Sequence, residues 1–158
     1  MAESSPLERL AALGLALPPA AAPVANYVPF ARAGNLLFIS GQLPVAAGKV
    51  EPRHQGKLGA KVSLQAGQDA ARLAALNVLA QANAAVGDLS RLRALRLRGF
   101  VNAAPEFQQI PQVVNGASDL LAAVLGENGK HARAAVGVAQ LPLDAAVEIE
   151  ATFEILGA

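Results

Sequence analysis

The cleanest alternation of apolar and polar residues lies near the C-terminus. From Val147, the residues Val147, Ile149, Ala151, Phe153 and Ile155 take turns with Glu148, Glu150, Thr152 and Glu154. Successive side chains of a strand point to opposite faces, so the stretch predicts a strand with one apolar and one acidic face. Upstream, Val136 and Val138 alternate with Ala135, Gly137 and Ala139 and predict a second strand. Between them Leu141-Pro142-Leu143-Asp144 supplies a turn, because Pro fixes φ and Asp can bond its own backbone. The pair therefore reads as a hairpin-like unit, with Arg133 at the start of one strand and Glu148 near the start of the other. Leu95, Leu97, Gly99 and Val101 alternate with Arg96, Arg98 and Phe100, a further strand whose arginines are expected on a solvated face. The run Leu36 to Ser40 predicts a short buried strand. It is opened by a Gly34-Asn35 turn and ended by Gly41, where backbone can approach a ligand closely. Gly48-Lys49 is expected to turn the chain back through Val50.

Helical signals separate these strands. Ser5-Pro6-Leu7-Glu8 forms a capping box with Pro at the first helical position, for a short helix ending near Leu13 and Gly14. The Pro- and Ala-rich segment that follows has no periodicity and is expected to lie extended. Ser63 is the N-cap expected for the longest helix, Leu64 to about Val86, with Gly87 as its stop. Asn102 to Pro105 reads as a turn. A second main helix is expected over Pro111 to Leu125, with Val114, Leu121 and Val124 buried. The polar, glycine-rich segment from 51 to 60 reads as a loop. The order helix, strands, helix, strand, helix, strands predicts an α+β fold with two main helices on one face of a mixed sheet. Residues 1–22 would form an N-terminal helix and linker, and 23–158 the main domain.

Composition narrows the function classes. The 158 residues suit one domain. Thirteen basic and twelve acidic residues give a net charge of +1, which makes neither a nucleic-acid footprint nor a polybasic membrane patch. With no cysteine there is no disulfide framework, thiolate nucleophile or Cys-ligated metal. His54 and His131 lack metal-ligand spacing, so no metal site is expected, and no cofactor either. Ser40 has no adjacent base in sequence, which argues against a serine nucleophile. The apolar content of 53% is high for a small domain and hints at a subunit interface. The apolar runs are broken by prolines or by Gln68, Asp69 and Arg72, so no membrane span is expected. The N-terminus lacks a basic region before an apolar core, and a cytoplasmic location is the expectation.

Four stretches occur in an order that resembles the RidA/YjgF family: Tyr27, then GNLLFISGQLP from Gly34, then GFVNAAPEF from Gly99 with Asn115 beyond, then HARAAVGVAQLPLDAAVEIEA from His131. The resemblance runs from about Pro23 to the C-terminus. It implies a fold like the trimeric, bacillary type of chorismate mutase, with sheets packed into a central barrel and clefts between subunits. It also implies a hydrolase of the 2-iminobutanoate/2-iminopropanoate deaminase kind, which converts enamines and 2-iminoacids to 2-oxoacids and ammonia. By the same resemblance Arg133 would bind the substrate carboxylate and Glu148 would position the attacking water. Tyr27, Ser40, Gly41 and Asn115 would line the cleft, Asn115 only if about four extra residues follow Phe107. Many family members carry Cys two residues after the arginine, and here that position is Ala135. His131 could touch the ligand or be a loop histidine. The partner would be a small carboxylate-bearing metabolite held between subunits of a homotrimer. Two alternatives stay open: a non-catalytic binder of small carboxylates, and a ribonuclease or translation inhibitor, as the family has been labelled. Near-neutral charge and the absence of Trp speak against RNA.

Overall fold

The computed structural model describes residues 3–23 and 25–157. Val24 of the expected linker and the domain ends at 1, 2 and 158 lie outside the described residues. Helix α1 spans Pro6–Ala12 and α2 Leu64–Val86, while α3 spans Ile110–Leu125. The strands are β1 Phe30–Ala33, β2 Leu36–Gln42, β3 Val45–Ala46, β4 Lys49–Val50, β5 Leu92–Asn102, β6 Ala132–Val138 and β7 Val147–Ile155. Five of them form one sheet in the order β1-β2-β7-β5-β6, and β3 and β4 make a small separate hairpin.

The local signals act as the chemistry dictates. Ser5 and Glu8 cap each other's backbone N–H groups at the start of α1. Ser63 accepts from the Ala66 N–H at the start of α2, and Gly87 closes that helix in the left-handed region at φ 78. Helices α2 and α3 approach so closely that a Cβ on Gly116 would fall inside the backbone of Gln68. Both lie on one face of the sheet, where Leu37, Leu97, Val101, Ile149, Phe153 and Ile155 join Leu79, Val114 and Leu121 in a single core.

The expected hairpin between β6 and β7 does not form. β7 is antiparallel to both β2 and β5, while β6 runs parallel to β5 on its other side. The chain from β5 to β6 passes through α3, as a parallel pair requires. β7 then inserts at the centre of the sheet, because its apolar face is the most continuous: every odd position from Val147 to Ile155 is buried. Asn102, expected in a turn, ends β5 and is wholly buried. Its side-chain amide donates to the Ala145 carbonyl and to Gln140, and its oxygen accepts from Lys57. Lys57 also reaches the Ala139 carbonyl. The 51–60 loop is thus fastened to the sheet, with Leu58 and His54 in the interior.

The N-terminal segment is also fastened. Leu10 of α1 is 1% exposed and belongs to the main core, and Arg9 donates to the Val124 carbonyl. Buried Gln81 of α2 donates to the Ala21 carbonyl of the irregular stretch that follows α1.

Candidate functional site

The residues expected to act together fall into two groups on opposite sides of the sheet. Arg133 is paired in register with Leu97, whose side chain lies in the core, so Arg133 points to the helix side. It sits on the edge strand β6, beyond the flank of α3. There its Nη1 donates to Asn115 Oδ1 at 2.7 Å and to Ser118 Oγ at 3.2 Å, and its Nη2 lies 3.5 Å from the Pro111 carbonyl. Asn115 is therefore in direct contact with the arginine. Ser118 was not singled out from sequence, although it lies three residues beyond Asn115, on the same helical face. His131 joins the group through Ser118, at 2.9 Å from Nε2.

Glu148 lies on the other face, register-paired with Phe100. It belongs to the even positions of β7, which are half-buried and face away from the helices. Burial raises its carboxyl pKa above the ordinary value, with a smaller push from the negative charge of Glu150. Gly41 lies beside it, where β2 departs from regular pairing with β7 between Ile39 and Gln42. A Cβ at position 41 would fall inside the Glu148 carboxyl, so the missing side chain is what gives that carboxyl its place. Ser40 is next in the strand, and its hydroxyl donates to the Val28 carbonyl at 2.6 Å. That bond holds the segment that carries Tyr27, which is 46% exposed.

Within one chain the two groups do not meet. Strand β5 separates β6 from β7, and Glu148 is in line with Val136, three residues beyond Arg133. That spacing puts about 10 Å across the sheet and about 10 Å along it between the two backbones, with the side chains on opposite faces. Two shallow grooves, of about 300 and 510 Å³, lie elsewhere, beside Arg72 and Asp119 and beside Arg9 and Glu127. Neither is lined by Arg133 or Glu148.

On the open face, Phe100, Val136 and Phe38 surround the Arg98–Glu150 ion pair. Phe38 is 44% and Val136 46% exposed, two large apolar side chains left partly open among the described residues. Among the described residues no group of three or more His, Cys, Asp or Glu could hold a metal ion. No helix of the described residues is long and apolar enough to cross a membrane.

A mixed five-stranded sheet with its helices on one face and a bare second face is the chorismate-mutase-like class of α+β fold. Residues 7–154 match the family model described as "YjgF/chorismate_mutase-like, putative endoribonuclease", and the chain belongs to that family, which includes RidA. The match takes in the N-terminal helix from its second residue onward. The chain is 50% identical over 145 residues to Protein TCP17 of Trypanosoma cruzi, covering 90% of this chain and 89% of that one. A crystal structure of a protein of unknown function from Agrobacterium tumefaciens is 52% identical, with a TM-score of 0.89 over 95% of this chain and 92% of that one. RidA from the Antarctic bacterium Psychrobacter is 28% identical, with a TM-score of 0.62 over 86% and 94%.

Proposed function

We propose that the protein is a homotrimeric hydrolase of small 2-iminoacids and enamines, with its site split between neighbouring subunits. The observation that carries this reading is the division of the candidate residues into two halves. Arg133 and Asn115 form one half, and Glu148, Gly41, Ser40 and Tyr27 the other. Neither half is a complete site. The exposed side chains of Phe38 and Val136 on the open sheet face supply a reason for subunits to pack.

In the assembled site, a substrate carboxylate would take two parallel hydrogen bonds from Arg133. A water held by Glu148 would attack the imine carbon while the carboxylate accepts its proton. The carbinolamine so formed would expel ammonia as its C–N bond breaks, leaving a 2-oxoacid. The sum is imine plus water to oxoacid plus ammonia, with no redox change. A carboxyl with a raised pKa suits this task, because it can take a proton and return it nearer neutral pH.

The test supplies 2-iminobutanoate, generated in place by a threonine-dehydrating enzyme, and follows its disappearance. Wild type should accelerate the loss, and Glu148→Gln should slow it by about a hundredfold or more. A wild type that adds nothing to the spontaneous rate overturns hydrolysis. If 2-oxobutanoate still binds in an Arg133-dependent way, the site is a binding site without turnover. Binding of RNA that weakens steeply with salt would instead favour the endoribonuclease label.

A further inference from the structure

Behind Arg133 lie two side chains for which carboxylate binding alone has no use. Ser118 Oγ is 3.2 Å from Arg133 Nη1 and 2.9 Å from His131 Nε2. His131 Nδ1 is 2.6 Å from the Gly129 carbonyl. A carbonyl oxygen only accepts, so Nδ1 carries a proton, and in the neutral ring Nε2 is then an acceptor. The Ser118 hydroxyl donates to Nε2. A guanidinium cannot accept, so the Ser118 oxygen receives the bond from Nη1. The three bonds run in one direction: guanidinium to hydroxyl, hydroxyl to imidazole, imidazole to backbone.

This direction matters because a serine within a helix readily turns its hydroxyl back to the carbonyl four residues earlier, here that of Val114. The imidazole nitrogen offers a competing acceptor, and it leaves a lone pair of Ser118 facing Arg133. Asn115 and Ser118 then occupy both Nη1 protons, and Pro111 takes one from Nη2. What remains is the Nε proton and one Nη2 proton, two donors still open to a carboxylate.

We propose that Ser118 and His131 are positioning residues for Arg133: an imidazole locked with its proton on Nδ1 fixes the serine hydroxyl, which fixes the guanidinium with its Nε side free for an anion. The proposal rests on the reading of Arg133 as the carboxylate-binding group.

Its test has one arm that needs no ligand. Long-range ¹H–¹⁵N NMR of the full chain, with His131→Gln to assign the signals, should find neutral His131 protonated on Nδ1, the less common tautomer in free solution. Ser118→Ala should speed rotation of the Arg133 guanidinium about its Cζ–Nη1 bond by about fivefold, the equivalent of one lost hydrogen bond. An Nε2-protonated ring, or unchanged Arg133 rotation, overturns the proposal.

The second arm is calorimetry with 2-oxobutanoate. His131→Leu should weaken binding by about fivefold, while His131→Gln, which keeps an acceptor for Ser118, should restore most of it. Equal loss in both variants also overturns the proposal. A purely structural role would lower Tm without moving the tautomer or this Leu-against-Gln difference. If wild type does not bind 2-oxobutanoate while the NMR arm holds, the carboxylate reading fails and the positioning network stands.

Discussion

At position 41 the absence of a side chain does chemical work. A methyl there would overlap the Glu148 carboxyl, which is the movable end of a flexible side chain. Gly41→Ala should therefore cost little stability while turning the carboxyl out of its place. The expected outcome is a Tm within a few degrees of wild type and the proposed imine hydrolysis reduced to the level of Glu148→Gln. Retained activity would separate Gly41 from the site. His54 makes a second argument at this scale. It is 1% exposed, and both ring nitrogens are buried with no hydrogen-bond partner among the described residues. Burial, and then the charge of Arg53, push its pKa below 6.5, against a weaker pull from Glu51 and Asp69. The unfolded chain takes up the proton first, so this contribution is complete above about pH 6.5 and is lost as pH falls towards the depressed folded value. Melts at fixed protein concentration from pH 7.5 to 5 should show Tm falling faster in wild type than in His54→Leu. That variant should also gain about 1 kcal/mol at pH 7.5, since it removes two buried, unpaired polar atoms. Identical slopes would place the acid sensitivity elsewhere.

At the scale of elements, the N-terminal helix is part of the main core and not an appendage. Leu10 joins the same buried cluster as Val124 and Leu89. Leu10→Ala should lower unfolding free energy by about 2–4 kcal/mol, measured by urea denaturation, in one cooperative transition. A cost below about 0.5 kcal/mol would show α1 to be dispensable. Helices α2 and α3 were legible because caps, stops and periodicity are local: Ser63, Gly87 and the spacing of Val114, Leu121 and Val124 need no knowledge of the rest of the chain. The neighbours of β7 were not legible. Alternation states which side chains share a face, and nothing in it names the strand alongside. The turn at 141–144 carries Leu143 and Asp144 at positive φ and serves a strand that leaves β6 and crosses past β5. Turn-forming residues signal a reversal, not the distance the chain travels afterwards.

At the scale of the whole molecule, the proposed site requires a second subunit to complete it. Arg133 and Glu148 face away from each other in one chain, and the bare sheet face carries Phe38, Phe100 and Val136. If three copies close over that face, light scattering should give three times the 16.1 kDa chain mass. Val136→Asp would then place a charge in that interface and should yield smaller species with an unchanged far-UV spectrum and no activity. A wild type that stays monomeric at working concentrations leaves the split site without a way to close.

Local caps and periodicity were enough for the helices and most strand positions, and the resemblance of four motifs, with their arginine, glutamate and glycine in order, pointed to the family. The tertiary structure decided that β7 lies between β2 and β5, that Asn115 and Ser118 both hold Arg133, and that Glu148 faces the other way. These are pairings between residues distant in sequence. They are set by which apolar faces can be buried together, and no local pattern encodes that.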